Sequence, residues 1–552
     1  MPDSHADSHA LARASRAASP PATVPPPNAA SPRRWPALLA LLLGLAHAFC
    51  FAPWGNGWLQ LAVFGGFATL LAHQCQRGAS LRRLGLLGAL FGLGWFTAGV
   101  SWLFVAMHDI GGLPAPVAGL ALLLFAAYLA IFPALASMLT GHLAKPNRPT
   151  AFMLTMTGAF TLGELARGWL LTGFPWLGFG YAHIDSPLAA LAPVGGVYLV
   201  TMAVSFISAG IALSFQRLRP WLILPALGLI AVADSLEGMQ WTYPHGKPIS
   251  VSLLQGNVPQ VMKFDPVASA KARQDYLAMI ESSPADLVLL PETAWTVPWE
   301  RTDPATQARL YEFILRTDSS VALGSPRVVQ LPEPPADDPY QGMRFANSMV
   351  MLDRTSLADG QLPLAYDKAH LVPFGEFIPP GFRWFVDMMK IPLGDLYRGP
   401  ADQAALPLKD QAIGFNICYE DIFGEELLPA VRGSSGNGQN GATILANLTN
   451  LGWYGKSHAL PQHRQIARMR ALETGRPMIR ATNNGVTAII LPNGEVAAEL
   501  PSHQSGVLKA SVQGHGGLTP YAEAGGNWPV ALAAALMLLL GGRLGRRTKG
   551  KG

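Results

Sequence analysis

Charge and cysteine are what this chain of 552 residues lacks: Asp, Glu, Lys and Arg together make up 14% of it, and Cys occurs 3 times. So little charge, with 50% hydrophobic residues and a mean hydropathy of +0.25, excludes an ordinary soluble domain of this length and points to a membrane protein. Cysteines at 50, 75 and 418 are too few and too scattered for a disulfide framework. There is no spaced His/Cys cluster and no phosphate-binding glycine loop, so neither a metal nor a nucleotide cofactor is expected. The pI of about 9.1 comes from basic residues clustered in short connections and a tail. No basic stripe runs along one segment, which argues against a nucleic-acid partner.

What the chain has instead is long apolar runs. Spans are expected over about 35–51, 57–74, 84–106, 114–140, 150–172, 190–215, 220–235 and 526–542, the length a bilayer requires. Every second connection is basic: Arg33 and Arg34, then Arg77, Arg82 and Arg83, then Lys145 and Arg148, then Arg217 and Arg219, and finally Arg543, Arg546, Arg547, Lys549 and Lys551. The connections around Pro53, around His108 and from Phe174 to Pro187 hold no Lys or Arg. The bias of positive charge toward the cytoplasm then puts both termini inside and the block between the seventh and eighth spans outside.

The expected organisation is a disordered cytoplasmic tail over about 1–32, a seven-span bundle over about 33–238, a soluble block over about 239–522, and a final span with a basic tail over about 523–552. The tail is rich in Ala, Ser and Pro and too poor in large apolar residues to pack. Ala46 and Ala48 mimic a signal-peptide processing site, but losing that span would spoil the charge alternation.

From residue 249 the pattern changes to short β-branched and aliphatic runs broken by turns, with helical segments such as ASAKARQDYLAMIESS and PQHRQIARMRALETG between them. An α/β layered sandwich follows. In such a fold the polar residue that ends a buried strand is presented at the sheet edge. Glu292 follows ADLVLL, Lys368 follows NSMVMLD, and Cys418 ends AIGFNI. A neutral thiol is a poor nucleophile until a base removes its proton or a cation stabilises the thiolate. Glu292 has the chemistry for the first role and Lys368 for the second, and a lysine ammonium also stabilises an oxyanion. The other reading of these three is an ordinary surface ion pair and a buried, inert cysteine.

LLPETAW, YDKAHLVPFGEFIP and GFNICYED together resemble, in that chain order, the Glu, Lys and Cys motifs of the nitrilase (carbon–nitrogen hydrolase) superfamily. FAPWGNGWLQL, GWFTAGVSWLFVAMHDIGG, LLQGNVPQ, KSHALPQHRQIARMRALETGRPMIRATNNG and GLTPYAEAG, on a chain with a membrane-embedded N-terminal half, are similar to the apolipoprotein N-acyltransferases. The fold this implies is a polytopic helical bundle carrying an extracytoplasmic α-β-β-α sandwich. The residue roles it implies are Glu292 as general base, Lys368 as oxyanion-side cation and Cys418 as nucleophile. Glu376 matches a second essential glutamate, and Tyr419 and Glu420 match the residues after the nucleophile. Phe264 stands where the family can carry tryptophan, and Leu451 where an acidic residue often occurs.

The implied activity has two halves. Cys418 takes an acyl chain from the sn-1 position of a phospholipid, with phosphatidylethanolamine the expected donor. The resulting thioester then acylates the α-amino group of the diacylglyceryl-cysteine that begins an apolipoprotein. The implied location is the inner membrane, with the catalytic block in the periplasm and no metal or other cofactor.

Lipid substrates require apolar surface beside the site. Trp384 and Phe385, shortly after Glu376, and Trp453 are candidates for mobile lids that admit acyl chains, or for domain core. Glu164 and Arg167 share a helix face in the fifth span, where charge is costly unless paired or functional. They either neutralise each other, or Arg167 meets a lipid phosphate. His73, His108 and His183 sit near span ends as interfacial residues. The rival functions are a membrane-tethered nitrilase-like amidase and a transporter or receptor carrying an inert nitrilase-like module.

Overall fold

The computed structural model describes residues 34–144, 148–217, 220–333, 338, 341–358, 363–379, 381–384, 396–436, 438 and 441–546. The tail expected over 1–32 and the candidate lid residue Phe385 lie outside the described residues.

The N-terminal half is helical: α1 (Trp35–Ala48), α2 (Gly57–Gln76), α3 (Leu81–Gly99), α4 (Ala115–Leu143), α5 (Pro149–Trp169), α6 (Ala192–Arg217) and α7 (Leu224–Ser235), with Trp528–Arg546 joining them from the far end of the chain. Helices therefore stand at all eight places where spans were expected. Among the described residues, three are long and apolar enough to cross a membrane: Ala115–Leu143, the Pro187–Phe215 segment and Trp528–Arg546. Leu81–Gly99 with Trp102–Ile110 makes a fourth if that pair, bent by 52°, is one span. The sequence reading drew the third span as one unbroken run; the bend falls at Gly99–Ser101, small residues of the kind that permit kinks. α1 and α7 are short, at 14 and 12 residues. α2 and α5 are diluted by polar residues, but these face inward: Gln60, Gln74, Thr155, Thr161, Glu164 and Arg167 are all buried.

Exposed leucines at 120, 124 and 135 on α4 and at 539 on the last helix give the bundle an apolar exterior. Close helix approach uses small residues, as is usual where hydrophobicity cannot drive association. A Cβ on Gly88 of α3 would lie 2.3 Å from the Pro133 carbonyl oxygen of α4. Helix α6 sits at the centre, 78% of its apolar window being covered by protein, against 33% for α4.

The second half is the expected sandwich of two six-stranded sheets. Its strands are β1 (Ile249–Gln255), β2 (Leu287–Leu289), β3 (Ser320–Gln330), β4 (Met343–Leu352), β5 (Leu364–Asp367), β6 (Leu406–Leu408), β7 (Gln411–Ile417), β8 (Ile444–Thr449), β9 (Met478–Thr482), β10 (Ala488–Ile490), β11 (Val496–Glu499) and β12 (Gly506–Val512). One sheet runs β12-β1-β2-β3-β4-β5 and the other β11-β10-β9-β8-β7-β6.

The period of two in strand side chains sorts the core into layers. Val251, Leu253, Leu287 and Leu289 point between the sheets, against Phe415, Ile417, Ala446 and Leu448. Leu254, Val288 and Leu290 point outward under α8 (Pro266–Glu281) and α9 (Pro304–Thr317). Both helices start on an aspartate cap followed by proline: Asp265 accepts from the Ala268 N–H at 2.7 Å and Asp303 from the Thr306 N–H at 2.9 Å. The outer face of the other sheet, with Leu445, Met478 and Ile490, is covered by α10 (Ala459–Thr474), which ends on Gly475 in the left-handed conformation.

The bundle and the sandwich do not have separate cores where they meet. Tyr419, Ile422, Phe423, Leu451, Leu460 and Met469 pack into the same apolar cluster as the bundle helices. Leu451, noted in the sequence as a departure, is buried there.

Candidate active site

The site forms at strand ends. β5 pairs antiparallel with β4, Ser348 opposite Asp367, so the next residue, Lys368, emerges beside Asn347; the Lys368 N–H donates to the Asn347 carbonyl at 2.9 Å. Glu292 follows β2, whose parallel pairing with β3 is extended by the Leu290 N–H to Ala322 carbonyl bond. Cys418 follows β7 in the opposite sheet and opens a short 3₁₀ turn, Cys418–Ile422. Its φ of +55° is a left-handed conformation that L-residues rarely adopt and that turns the chain sharply at the end of the strand.

Four of these side chains interlock. The Lys368 ammonium donates to Glu376 Oε1 at 2.9 Å and lies 3.3 Å from Glu292 Oε1. The amide of Asn347 donates to the same two oxygens, 2.8 Å from each. The remaining carboxylate oxygens take backbone donors: Glu292 Oε2 accepts from the Asn450 N–H at 2.9 Å and Glu376 Oε2 from the Val372 N–H at 2.8 Å. All four are buried, Lys368 completely. A buried ammonium shared by two carboxylates is a geometry in which pairing outweighs desolvation.

Electrostatics divide the labour. Burial alone would raise the Glu292 carboxyl; the Lys368 charge and the Asn347 hydrogen bond outweigh it and hold Glu292 below the usual carboxylate range. Burial would lower Lys368, yet Glu376 and Glu292 keep it well above the ordinary lysine value. The Cys418 thiol goes the other way: burial first and the Glu292 charge second push it up, with Lys368 opposing. It sits deep in the protein but keeps partial exposure. The resting arrangement is therefore a neutral thiol beside an ionised carboxylate and an ammonium, one in which a thiol acting as nucleophile would need a neighbouring base to take its proton.

Glu420 ties the two halves of the site together. Its Oε1 accepts from the N–H groups of Ala369 (2.6 Å) and His370 (3.0 Å), just after Lys368; its Oε2 accepts from the Ile417 N–H (2.6 Å), just before Cys418, and from the Tyr366 hydroxyl (2.9 Å). Burial pushes this carboxyl up to about 7 against those donors. Tyr419 reaches the other way: its hydroxyl donates to the Gly173 carbonyl of the bundle at 3.1 Å.

Other residues named from the sequence fall differently. Trp384 is exposed. Trp453 lies half-buried in the turn Leu451–Tyr454, where Tyr454 packs edge-on against Trp102 of the bundle, with ring centroids 4.5 Å apart. Arg167 takes the paired arrangement, one of the two offered by the sequence: it is 1% exposed, its Nη2 is 2.7 Å from Glu164 Oε2 and its Nε 2.9 Å from Glu164 Oε1. The side chain of Phe264 is outside the described residues. No group of three or more His, Cys, Asp or Glu that could hold a metal occurs among the described residues.

Sequence reasoning missed Asn347, which sits in an ordinary strand and is marked only by its register opposite Lys368. It also missed Lys263, whose ammonium lies 3.2 Å from the Thr293 carbonyl and 3.4 Å from that of Glu292. Burial, partly offset by Glu292, brings Lys263 down to about 8.

Comparison with known proteins identifies both halves of the chain. Residues 43–210 match the apolipoprotein N-acyltransferase N-terminal domain, and residues 251–521 the carbon–nitrogen hydrolase domain. The chain is 42% identical over 525 residues to the apolipoprotein N-acyltransferase of Ralstonia nicotianae, covering 94% of this chain and 95% of that one. The chain belongs to the apolipoprotein N-acyltransferase family. Family members from Bordetella bronchiseptica, 41% identical with 94% and 98% covered, and Chromobacterium violaceum, 39% identical with 95% and 97% covered, align equally end to end. Because the membrane half matches as well as the hydrolase half, an acyltransferase is favoured over a tethered amidase or an inert module on a transporter.

Proposed function

We propose that the protein N-acylates apolipoproteins, the last step of lipoprotein maturation, in two half-reactions through Cys418. Glu292 takes the thiol proton as sulfur attacks the sn-1 ester carbonyl of a phospholipid, and the oxyanion is met by the Lys368 ammonium and the Tyr419 N–H. Collapse breaks the ester bond, the proton passes from Glu292 to the departing alkoxide, and a lysophospholipid leaves. The α-amino group of the diacylglyceryl-cysteine then attacks the thioester and gives its proton to Glu292. The thiolate departs and is reprotonated. Glu376 and Asn347 hold Lys368 and Glu292 in register throughout.

The meeting of a deprotonated Glu292, a charged Lys368 and the Cys418 thiol at adjoining strand ends, against the bundle, carries this reading. Phosphatidylethanolamine is the donor we assign, and we place residues 239–522 in the periplasm, between eight crossings of the inner membrane with both termini cytoplasmic. The alternating basic connections support that orientation. Trp384 and Trp453 remain candidate acyl-chain contacts beside the site.

Mass spectrometry of protein isolated from phospholipid-rich membranes tests the mechanism. An acyl adduct on Cys418 that disappears when diacylated lipoprotein is added is the expected result. Turnover by Cys418→Ala at the parent rate would overturn it. Reporter fusions after residue 300 and at either terminus test the orientation.

A further inference from the structure

The bundle reaches the nucleophile turn through one loop. α5 ends at Trp169, and the chain then passes through three consecutive left-handed residues, Leu171 (φ 53°), Thr172 (φ 73°) and Gly173 (φ 83°). Such a path costs conformational energy and persists only where its surroundings hold it. A Cβ on Gly173 would lie 2.1 Å from the Gly168 carbonyl oxygen and 3.1 Å from the Phe423 ring, so only glycine fits.

Arg167 supplies the hold. One edge of its guanidinium forms the two-pronged contact with Glu164, and its Nη1 donates to the carbonyls of Phe174 and, at 2.9 Å, Trp176. The Phe174 N–H donates back to the Arg167 carbonyl at 2.9 Å. The pair is buried, with side-chain exposures of 1% and 4%. A buried carbonyl without a donor is costly, and here one arginine satisfies two of them.

The held loop reaches the Cys418 turn directly at Tyr419 and, through His463, at Asp421. The Gly173 carbonyl accepts the Tyr419 hydroxyl. The Trp176 ring stacks on His463 with centroids 5.5 Å apart, and His463 Nε2 lies 2.9 Å from Asp421 Oδ1. Asp421 is held from below by Arg480 Nη1 at 3.2 Å. Arg480 Nη2 also donates to His463 Nδ1 at 2.6 Å, since a guanidinium can only donate.

We propose that the Glu164–Arg167 pair is a positioning device for catalysis: by fixing the Gly173–Trp176 loop it sets the Cys418 turn, through Tyr419 and Asp421, against Glu292 and Lys368. This gives the membrane bundle a part in the chemistry besides anchoring. It rests on the reading of Cys418 as nucleophile.

The test uses the full chain in nanodiscs with phosphatidylethanolamine as donor and a diacylated lipopeptide as acceptor, and measures kcat and KM for lysophospholipid release and the rate of Cys418 alkylation by iodoacetamide across pH. Arg167→Lys keeps a charge opposite Glu164, but one ammonium cannot serve the carboxylate edge and both carbonyls. Tyr419→Phe removes only the hydroxyl that meets Gly173. Each is expected to lower kcat about tenfold or more with KM changed less than about twofold, and to slow alkylation at neutral pH. The double variant should lose no more than the worse single one, because both break the same path.

Parent kcat in folded Arg167→Lys, or losses that multiply in the double variant, overturns the proposal. If Arg167→Lys does not fold, parent kcat in Tyr419→Phe overturns it alone. Cys418→Ala run alongside separates the two readings. Turnover in that variant sinks the nucleophile assignment, whereas a dead Cys418→Ala beside a fully active Arg167→Lys sinks only the positioning role.

Discussion

The two sheets contribute to the site in different ways. The sheet holding Glu292, Asn347 and Lys368 finds donors for every carboxylate oxygen within the sandwich: Asn347 and Lys368 in itself, Val372 in the loop that follows, and Asn450 at the end of β8 in the other sheet. The sheet holding Cys418 ends in a turn that leans on other elements: Glu420 on the loop after Lys368, Tyr419 on the bundle, and Asp421 on α10 and β9. The carboxylate–ammonium cluster is thus held within the sandwich, while the turn after Cys418 also rests on the bundle. In the proposed mechanism Glu292 takes up and returns a proton in each half-reaction while Lys368 stays charged, and the turn after Cys418 is the part of the site that contacts the membrane half.

Breaking the charge cluster should have the largest effect. Lys368→Met removes the proposed oxyanion-side cation and leaves Glu292 and Glu376 buried without the ammonium they share. We expect kcat to fall about 10²–10³-fold, with a lowered Tm. Glu292→Gln should lose a comparable factor in both half-reactions, about 10²–10⁴-fold, measured as single-turnover thioester formation and its aminolysis.

The next effect separates the two sheets by pH. Glu292 is depressed below the usual carboxylate range, so activity should survive acidification until pH falls through that lowered value. Asn347→Leu deletes a hydrogen bond to the ionised form. Its acid limb should move up toward the ordinary carboxylate range, with stability reduced by about 1–3 kcal/mol from the donors and acceptors left unpaired. An unmoved acid limb would show that Asn347 only packs. The mildest change loosens the link between the sheets, from Tyr366 on β5 to Glu420 in the turn after β7. Tyr366→Phe removes one of four donors to Glu420 and should cost about 1 kcal/mol of stability by thermal unfolding, with the acid limb unchanged.

Glu292 and Cys418 were legible in the sequence because each follows an apolar strand, and the strand pattern places such residues at a sheet edge; Lys368 follows the short, half-exposed β5, which the sequence does not mark as a strand. Asn347 was not legible, since its role depends on which strand pairs with β4 and in what register, and nothing local in AN-SMVMLD encodes that. Lys263 was missed for a similar reason: it reaches Glu292 and Thr293 from a turn some thirty positions earlier in the chain. The Glu164–Arg167 pairing followed from helical spacing, but the two carbonyls that share the guanidinium belong to a loop whose left-handed path has no periodic signature.

The sequence alone determined the division into an apolar helical half and a strand-rich half, and the family, because composition, hydrophobic period and short motifs are properties of the chain taken locally. Only the tertiary structure decided which carboxylates share Lys368, that Arg167 faces inward, and that the nucleophile turn rests against the bundle. Those outcomes depend on distances between residues far apart in the chain, and it is the packing of one half on the other that sets them.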